Sequence, residues 1–296
     1  MIYTGDKIKI WLLAIRPKTL LAALSPVLVG GACAWSLGFC HWPVWPLTAA
    51  TAMLLQAIAN LANDFFDYKH GFDIPGRRGP LRIMQNGLVK PRTFITVIAV
   101  MSFMAVLLGL ILVGYGDWPI LIIGGVSLAF AFLYSAGPWP LSTHALGEAA
   151  SVFFFGLVAG GGAYYLQARS INITVLALSL TPGLLNACIM MVNNYRDLAL
   201  DRQSGKTTLF GRTGAVWARR IYAIAIAAAY LVVVLAVLRA PAVSPWALLA
   251  FLSLPLALKL IRDIYTKQGS VLNVTLAQTA LLNFCTSLLL AAGLQL

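Results

Sequence analysis

Nine stretches of this chain are apolar over lengths that cross a lipid bilayer, about 17–25 residues. No other feature narrows its possible folds so far. The stretches are Thr19–Leu37, Val44–Phe66, Phe94–Gly114, Pro119–Ala136, Leu146–Gln167, Ile171–Tyr195, Trp217–Leu238, Ser244–Ile261 and Val271–Gly293. Backbone inside lipid has no water to satisfy its N–H and C=O groups, so it must be helical or part of a closed barrel. Barrel strands alternate polar and apolar residues, whereas these stretches are apolar all round. Composition agrees: 60% of residues are hydrophobic, 10% are charged and the mean hydropathy is +0.85, against about 25% charged in a soluble domain. The expected fold is all-α, a polytopic membrane protein with nine transmembrane helices.

The net charge of +12 would suit nucleic acid if it were spread over a surface, but it is not. With the N-terminus in the cytoplasm and nine alternating helices, all 21 Lys and Arg except Arg169 and Arg239 fall on the cytoplasmic side. That is the positive-inside pattern. It puts the C-terminus outside, removes nucleic acid as a partner and leaves membrane lipid as the surroundings. The start, Met1–Lys18, is polar and basic and precedes a full-length span, which reads as no cleavable signal peptide. Lys7, Lys9 and Trp11 fit a short interfacial helix. The expected place is a bacterial inner (cell) membrane, with the active site facing the cytoplasm.

Chemistry concentrates at two helix ends. The chain has nine acidic residues, and four of them are Asp64, Asp67, Asp197 and Asp201. Asn60, Asp64 and Asp67 fall at i, i+4 and i+7, on one helix face; Asn193, Asp197 and Asp201 fall at i, i+4 and i+8, nearly on one face. Both pairs sit near the C-terminal end of their helices, where the macrodipole repels anions, so each needs a compensating cation. Solvated helix ends would account for one such pair. Two at matching positions, each with asparagines on the same turn, point to one shared polyanion bridged by a divalent metal. Mg²⁺ suits this, because it completes its shell with waters and substrate phosphates.

The loops after the two motifs supply cations. The first carries Lys69, Arg77, Arg78, Arg82, Lys90 and Arg92, of which Lys90 and Arg92 read as topology anchors. In Arg78-Gly79-Pro80-Leu81-Arg82, glycine and proline stiffen the loop and hold two guanidiniums, suited to forked phosphate contacts, near the metal site. The second offers Arg196, Arg202 and Lys206, with Gly205 and Thr207-Thr208. Glu148, the only glutamate, opens the fifth helix, where it serves either function or the helix dipole. Phe153, Phe154, Phe155, Tyr164 and Tyr165 suit packing or lipid contact, with a minority lining an apolar tunnel. Cys33, Cys40, Cys188 and Cys285 show no metal spacing, and His41, His70 and His144 divide between the two sides. The chain reads as one membrane domain, residues 1–296, with helices one to four and five to eight as parallel halves and a ninth closing the bundle.

The pattern Asn60-x-x-Asn63-Asp64-x-x-Asp67, followed by Lys69, Gly71 and Asp73, resembles the first motif of the UbiA superfamily of intramembrane prenyltransferases. Asp197-x-x-x-Asp201-x-x-x-Gly205-Lys206-x-Thr208-Leu209 resembles the second. Arg16-Pro17-Lys18-Thr19-Leu20, Gly79-Pro80-Leu81-Arg82 with Met84-Gln85-x-Gly87, and Leu146-Gly147-Glu148 are similar to the members that prenylate 1,4-dihydroxy-2-naphthoate in menaquinone synthesis. Tyr134-Ser135-x-Gly137-Pro138-x-Pro140-Leu141 fits the family's loop after helix four. Thr213, where the family tends to carry leucine, and His70 depart from the pattern without touching the aspartates.

The resemblance implies a UbiA-like bundle and a Mg²⁺-dependent aromatic prenyltransferase. Asp64, Asp67, Asp197 and Asp201 would be catalytic and hold Mg²⁺ through the diphosphate. Asn60, Asn63, Arg78, Arg82, Asn193 and Lys206 would bind the isoprenyl diphosphate. Glu148, Asn194 and Tyr134 would contact the aromatic acceptor, with Glu148 or a motif aspartate orienting or deprotonating the phenol. An allylic cation forms as diphosphate leaves, and an electron-rich ring carbon attacks it; for a naphthoate the carboxylate is lost. The alternatives are another acceptor such as 4-hydroxybenzoate, or a transporter, which would be expected to have inverted repeats and helices broken near the midplane. A lipid-binding scaffold would not need two aspartate pairs.

Overall fold

The computed structural model describes residues 7–72, 79 and 82–296. A short helix α1 (Lys7–Ile15) meets α2 (Pro17–Ser36) at Arg16, whose φ of 56° turns the chain before Pro17 opens the next helix. Then follow α3 (Val44–Lys69) and α4 (Pro91–Leu133). Next, α5 (Gly147–Ser151), a π-helical stretch Val152–Val158 and α6 (Ala159–Ala168) run as one rod. The long helices α7 (Ile173–Gln203) and α8 (Leu209–Arg239) precede a 3₁₀ segment Pro245–Ser253 that leads into α9 (Leu254–Thr266); α10 (Leu272–Gly293) closes the chain. Among the described residues the architecture is all-α, as expected.

Seven of these rods are long and apolar enough to span a membrane, so the expected count of nine is not reached as separate spans. One reason is α4, which takes in two expected stretches. Its only break is at Asp117 (φ 54°). With ψ at −160° this is a backbone conformation that ordinarily needs glycine, and Asp117 pairs with Arg169 at the bend. The other is the stretch Ser244–Ile261, which divides between a 3₁₀ segment and α9. Prolines stand in the first turn of each, and Gly293 of α10 comes so close that a Cβ there would lie 2.0 Å from the Trp246 carbonyl oxygen.

Helix α7 is the hub, packing on α8, α10, α2 and the π-helical stretch. Its heart is a cluster that includes Leu185, Val192, Tyr222, Ile226, Leu260 and Leu282. Close helix approach in lipid relies on small residues. A Cβ on Gly30 would lie 2.1 Å from the Gly160 oxygen, and one on Gly183 would lie 2.7 Å from the Gly156 Cα. These contacts draw α2 onto α6 and the π stretch onto α7. By contrast α4 presents Phe103, Leu110, Leu121 and Ile122 outward, as a lipid-facing helix would.

Candidate active site

Both aspartate pairs lie in the last turns of their helices, α3 and α7, and the two ends meet. The junction is made by side chains from the following loops. After α3 the chain folds back because Ile83 and Met84 are buried with Ala14, Leu61 and Phe94, each such burial being worth about 1.5–3 kcal/mol. That anchoring lays the Ile83 N–H on Asp64 Oδ2 at 3.0 Å. It also sets Arg82, itself buried, to donate to Asp67 Oδ2 (2.9 Å) and Asn63 Oδ1 (2.9 Å). Arg78 lies outside the described residues.

After α7 the chain turns at Gly205, whose φ of 76° suits glycine. The Lys206 N–H closes on the Asp201 carbonyl. Thr207 then pairs with the His144–Ala145 segment, and Thr208 caps α8 by accepting from the Gly211 N–H. Held this way, Lys206 Nζ reaches across to Asp67 Oδ2 at 3.2 Å, tying the second motif's loop to the first motif's acid.

Asp197 is neutralised within its own helix. Arg196 donates to both its oxygens, from Nε (2.9 Å) and from a terminal nitrogen (2.6 Å). The same guanidinium reaches Asn193 Oδ1 and Asn273 Oδ1 on α10, each at 2.7 Å. Gly79 passes directly over it, and a Cβ there would fall 2.6 Å from an Arg196 terminal nitrogen. The first loop thus lies on the second motif just as the second loop reaches the first.

Of the other expected residues, Asn60 lines the cavity described below, yet its amide donates to the Ile15 carbonyl (2.7 Å) and Thr19 (2.9 Å). It therefore fastens α3 to the α1–α2 bend. Asn63 donates to Ser135 Oγ at 3.0 Å. Asn194 donates to Glu148 Oε1 at 2.8 Å, and the Tyr134 hydroxyl donates to Met190 Sδ at 3.4 Å. Glu148, Asn194 and Tyr134 therefore converge, with Gly147 leaving room for the Tyr134 ring. Two cations go beyond the residues expected to bind substrate: Arg196, which the sequence offered only as a cation of the second loop, and Arg16, which approaches Asn63 Oδ1 at 3.5 Å. Arg16 stood in a noted stretch, but only the α1–α2 bend aims it.

A cavity of about 540 Å³ opens beneath these groups. Its polar end carries Arg16, Asn63, Arg82, Asn193, Asn194 and Lys206, and its far wall Leu55, Leu112, Ile120, Ile123, Phe154 and Phe155. Thr48 and Asn63, both in the wall on α3, are about 22 Å apart at the helical rise of about 1.5 Å per residue. The cavity therefore suits a ligand with an anionic head and a long apolar tail. Of the aromatic residues singled out, Phe154 and Phe155 line it, Phe153 is exposed and Tyr164 is buried in the core.

The donors suit Mg²⁺: they are carboxylate and amide oxygens, two acids from each helix. Among the described residues, no three acidic, histidine or cysteine side chains cluster as a self-sufficient metal cage. Two carboxylate pairs match an ion that shares its shell with waters and phosphate oxygens.

Comparison with known proteins agrees with this geometry. A profile described as the UbiA prenyltransferase family matches residues 23–289. The 1,4-dihydroxy-2-naphthoate octaprenyltransferase of Escherichia coli (strain K12) is 37% identical, over 72% of this chain and 71% of that protein. The Haemophilus influenzae protein of the same name is 33% identical, over 98% of this chain and 97% of its own. In fold, a UbiA homolog from Archaeoglobus fulgidus bound to DMAPP and Mg²⁺ superposes with a TM-score of 0.63 at 13% identity, covering 95% of this chain and 99% of that one.

Proposed function

This chain belongs to the UbiA prenyltransferase family. From that premise we propose that it transfers a polyprenyl group from an isoprenyl diphosphate to 1,4-dihydroxy-2-naphthoate, with loss of the acceptor's carboxylate. The observation that carries the reading is the crossed junction of the two motifs, with Lys206 on Asp67 and Gly79 over Arg196, at the mouth of an apolar cavity. The activity named for the Escherichia coli and Haemophilus influenzae relatives supports the acceptor.

Asp64, Asp67, Asp197 and Asp201 would hold Mg²⁺, which supplies neutralisation of the charge developing on the leaving diphosphate. Arg82 and Lys206, now on Asp67, are the cations placed to turn onto diphosphate oxygens, in charge-assisted contacts. Asn63 orients Arg82 by accepting from its guanidinium, and Asn193 accepts from that of Arg196. The C–O bond of the allylic diphosphate breaks and its electron pair leaves with the diphosphate. Phe154, Phe155 and the apolar wall keep water from the allylic cation and offer aromatic faces to its charge. The ring carbon bearing the carboxylate forms the new C–C bond. The bond to the carboxylate then breaks, its electrons return to the ring, and carbon dioxide leaves. Asn194, held by Glu148, and Tyr134 orient the acceptor's near hydroxyl.

The chain works as one membrane domain of two parallel halves, in a bacterial cell membrane with the site on the cytoplasmic side. The distribution of Lys and Arg supports that orientation, and a reporter fused after Leu296 is expected to read as external. The test of the reaction is purified protein with Mg²⁺, a labelled prenyl diphosphate and a panel of aromatic acids. Product from 1,4-dihydroxy-2-naphthoate is expected; product from 4-hydroxybenzoate alone would overturn the acceptor.

A further inference from the structure

Below the near-hydroxyl site the cavity wall holds polar groups that nothing among the described residues satisfies. Asn186 Nδ2 and Ser151 Oγ are both buried, both residues line the cavity, and among the described residues neither atom has a hydrogen-bond partner. Their depth follows from how α5 and α7 pack. A Cβ on Gly147 would touch Met190 Sδ (2.9 Å) and the Tyr134 hydroxyl (3.2 Å), and one on Gly183 would lie 2.9 Å from the Val152 carbonyl oxygen. The two helices run antiparallel, so this register brings Ser151 level with Asn186. Ser151 is four residues on from Gly147, and Asn186 four residues before Met190. Counted along either helix, the pair sits just over one turn, about 6 Å, deeper than the Tyr134 hydroxyl.

We propose that Ser151 and Asn186 form a second oxygen subsite, which takes the far hydroxyl of a para-dihydroxy aromatic acceptor and so selects such rings over monophenols. The inference rests on the acceptor reading above and sharpens it. The two oxygens of a para-dihydroxy ring are separated by about the length of one helical turn, about 5.4 Å. With one oxygen at Tyr134 and Asn194, the other therefore arrives between Ser151 and Asn186. The chemistry is complementary: the asparagine N–H donates to the far oxygen, and the serine hydroxyl accepts its proton. Ile189, between the levels, and Phe155, a turn beyond Ser151, give the ring apolar walls. The backbone supports the arrangement, because the π-helical stretch begins at Val152, immediately after the serine. Such irregularities recur at functional sites. A site built to bond a substrate hydroxyl discriminates strongly against the analogue lacking it, because its own polar groups then stay unpaired.

The experiment measures kcat/KM for 1,4-dihydroxy-2-naphthoate and for 1-hydroxy-2-naphthoate, which lacks the far hydroxyl, with Mg²⁺ and one prenyl diphosphate. Wild type is compared with Ser151→Ala and the near-isosteric Asn186→Leu. In each variant the preference for the dihydroxy acceptor is expected to fall by about 10- to 100-fold, with KM for the prenyl diphosphate unchanged. A merely structural role, or a water bridging the two side chains, would slow both acceptors equally. An unchanged ratio in both variants therefore overturns the subsite while leaving the reaction intact. Should wild type prenylate neither naphthoate but accept another aromatic acid, the acceptor reading falls and this inference with it.

Discussion

The two aspartate pairs look alike in sequence and are built differently. The pair on α3 is completed from outside its helix: Asp64 takes a backbone N–H from Ile83, and Asp67 takes Arg82 from the next loop and Lys206 from beyond α7. On α7, Arg196 of the same helix grips Asp197 and then braces Asn193 and Asn273. Their surroundings differ in the same sense. In the most apolar stretch of α7, 72% of residues are buried, against 28% in α3 and 17% in α4. The α7 end is therefore a fixed wall, and the α3 end a junction that depends on two loops. An arriving diphosphate would meet Arg196 already fixed on α7 and recruit Arg82 and Lys206 from the loops that rest on Asp67.

Removing a metal ligand from either end should abolish transfer, whatever the difference in support. Asp64→Ala and Asp197→Ala are each expected to lower turnover by about 10²–10³-fold or more, with the protein still inserted and folded. Near-normal turnover in both would break the shared site. Chelation should remove activity equally completely, with recovery in Mg²⁺ and little in Ca²⁺, whose larger shell asks for more protein oxygens. Full turnover in metal-free buffer would contradict it.

The arginines separate the two ends. Arg196→Ala removes the two-point guanidinium contact from the buried Asp197, and breaking a buried pair costs about 3–5 kcal/mol, expected to appear as a lower Tm as well as lower activity. Arg82→Ala is expected to cost about 1.5–3 kcal/mol, read as weaker prenyl diphosphate affinity with the acceptor KM unchanged and little change in Tm. The comparison is lost if the two variants behave alike. The smallest effect is expected at Asp117→Asn, at the exposed bend in α4, where loss of a surface pair costs about 0–1 kcal/mol and turnover should be untouched.

The helices and both motifs were legible because they rest on local patterns: unbroken apolar stretches and acids repeated at helical spacing. The reach of Lys206 to Asp67 was legible only as a possibility, since it depends on Gly205 and on the pairing of Thr207 with the His144–Ala145 segment. The grip of Arg196 on Asp197 was hidden for a different reason. Adjacent helical residues do not face one another, so only the length of the guanidinium lets it fold back. Ser151 and Asn186 sit in apolar stretches with no motif around them, and their alignment depends on how α5 packs on α7. The stretch Tyr115–Trp118 reads in sequence as a connector, and α4 is kinked there, at Asp117.

The central claim is that two pairs of acids on two helices hold one diphosphate. It is tested most directly by the Kd of a prenyl diphosphate with Mg²⁺, for wild type, Asp67→Asn, Asp201→Asn and the double variant. Residues acting on one ligand as a unit are non-additive, so each single change should weaken binding by a similar factor and the double scarcely more than either. Full additivity of the two losses, or an unchanged Kd when either aspartate alone is replaced, would contradict a shared site.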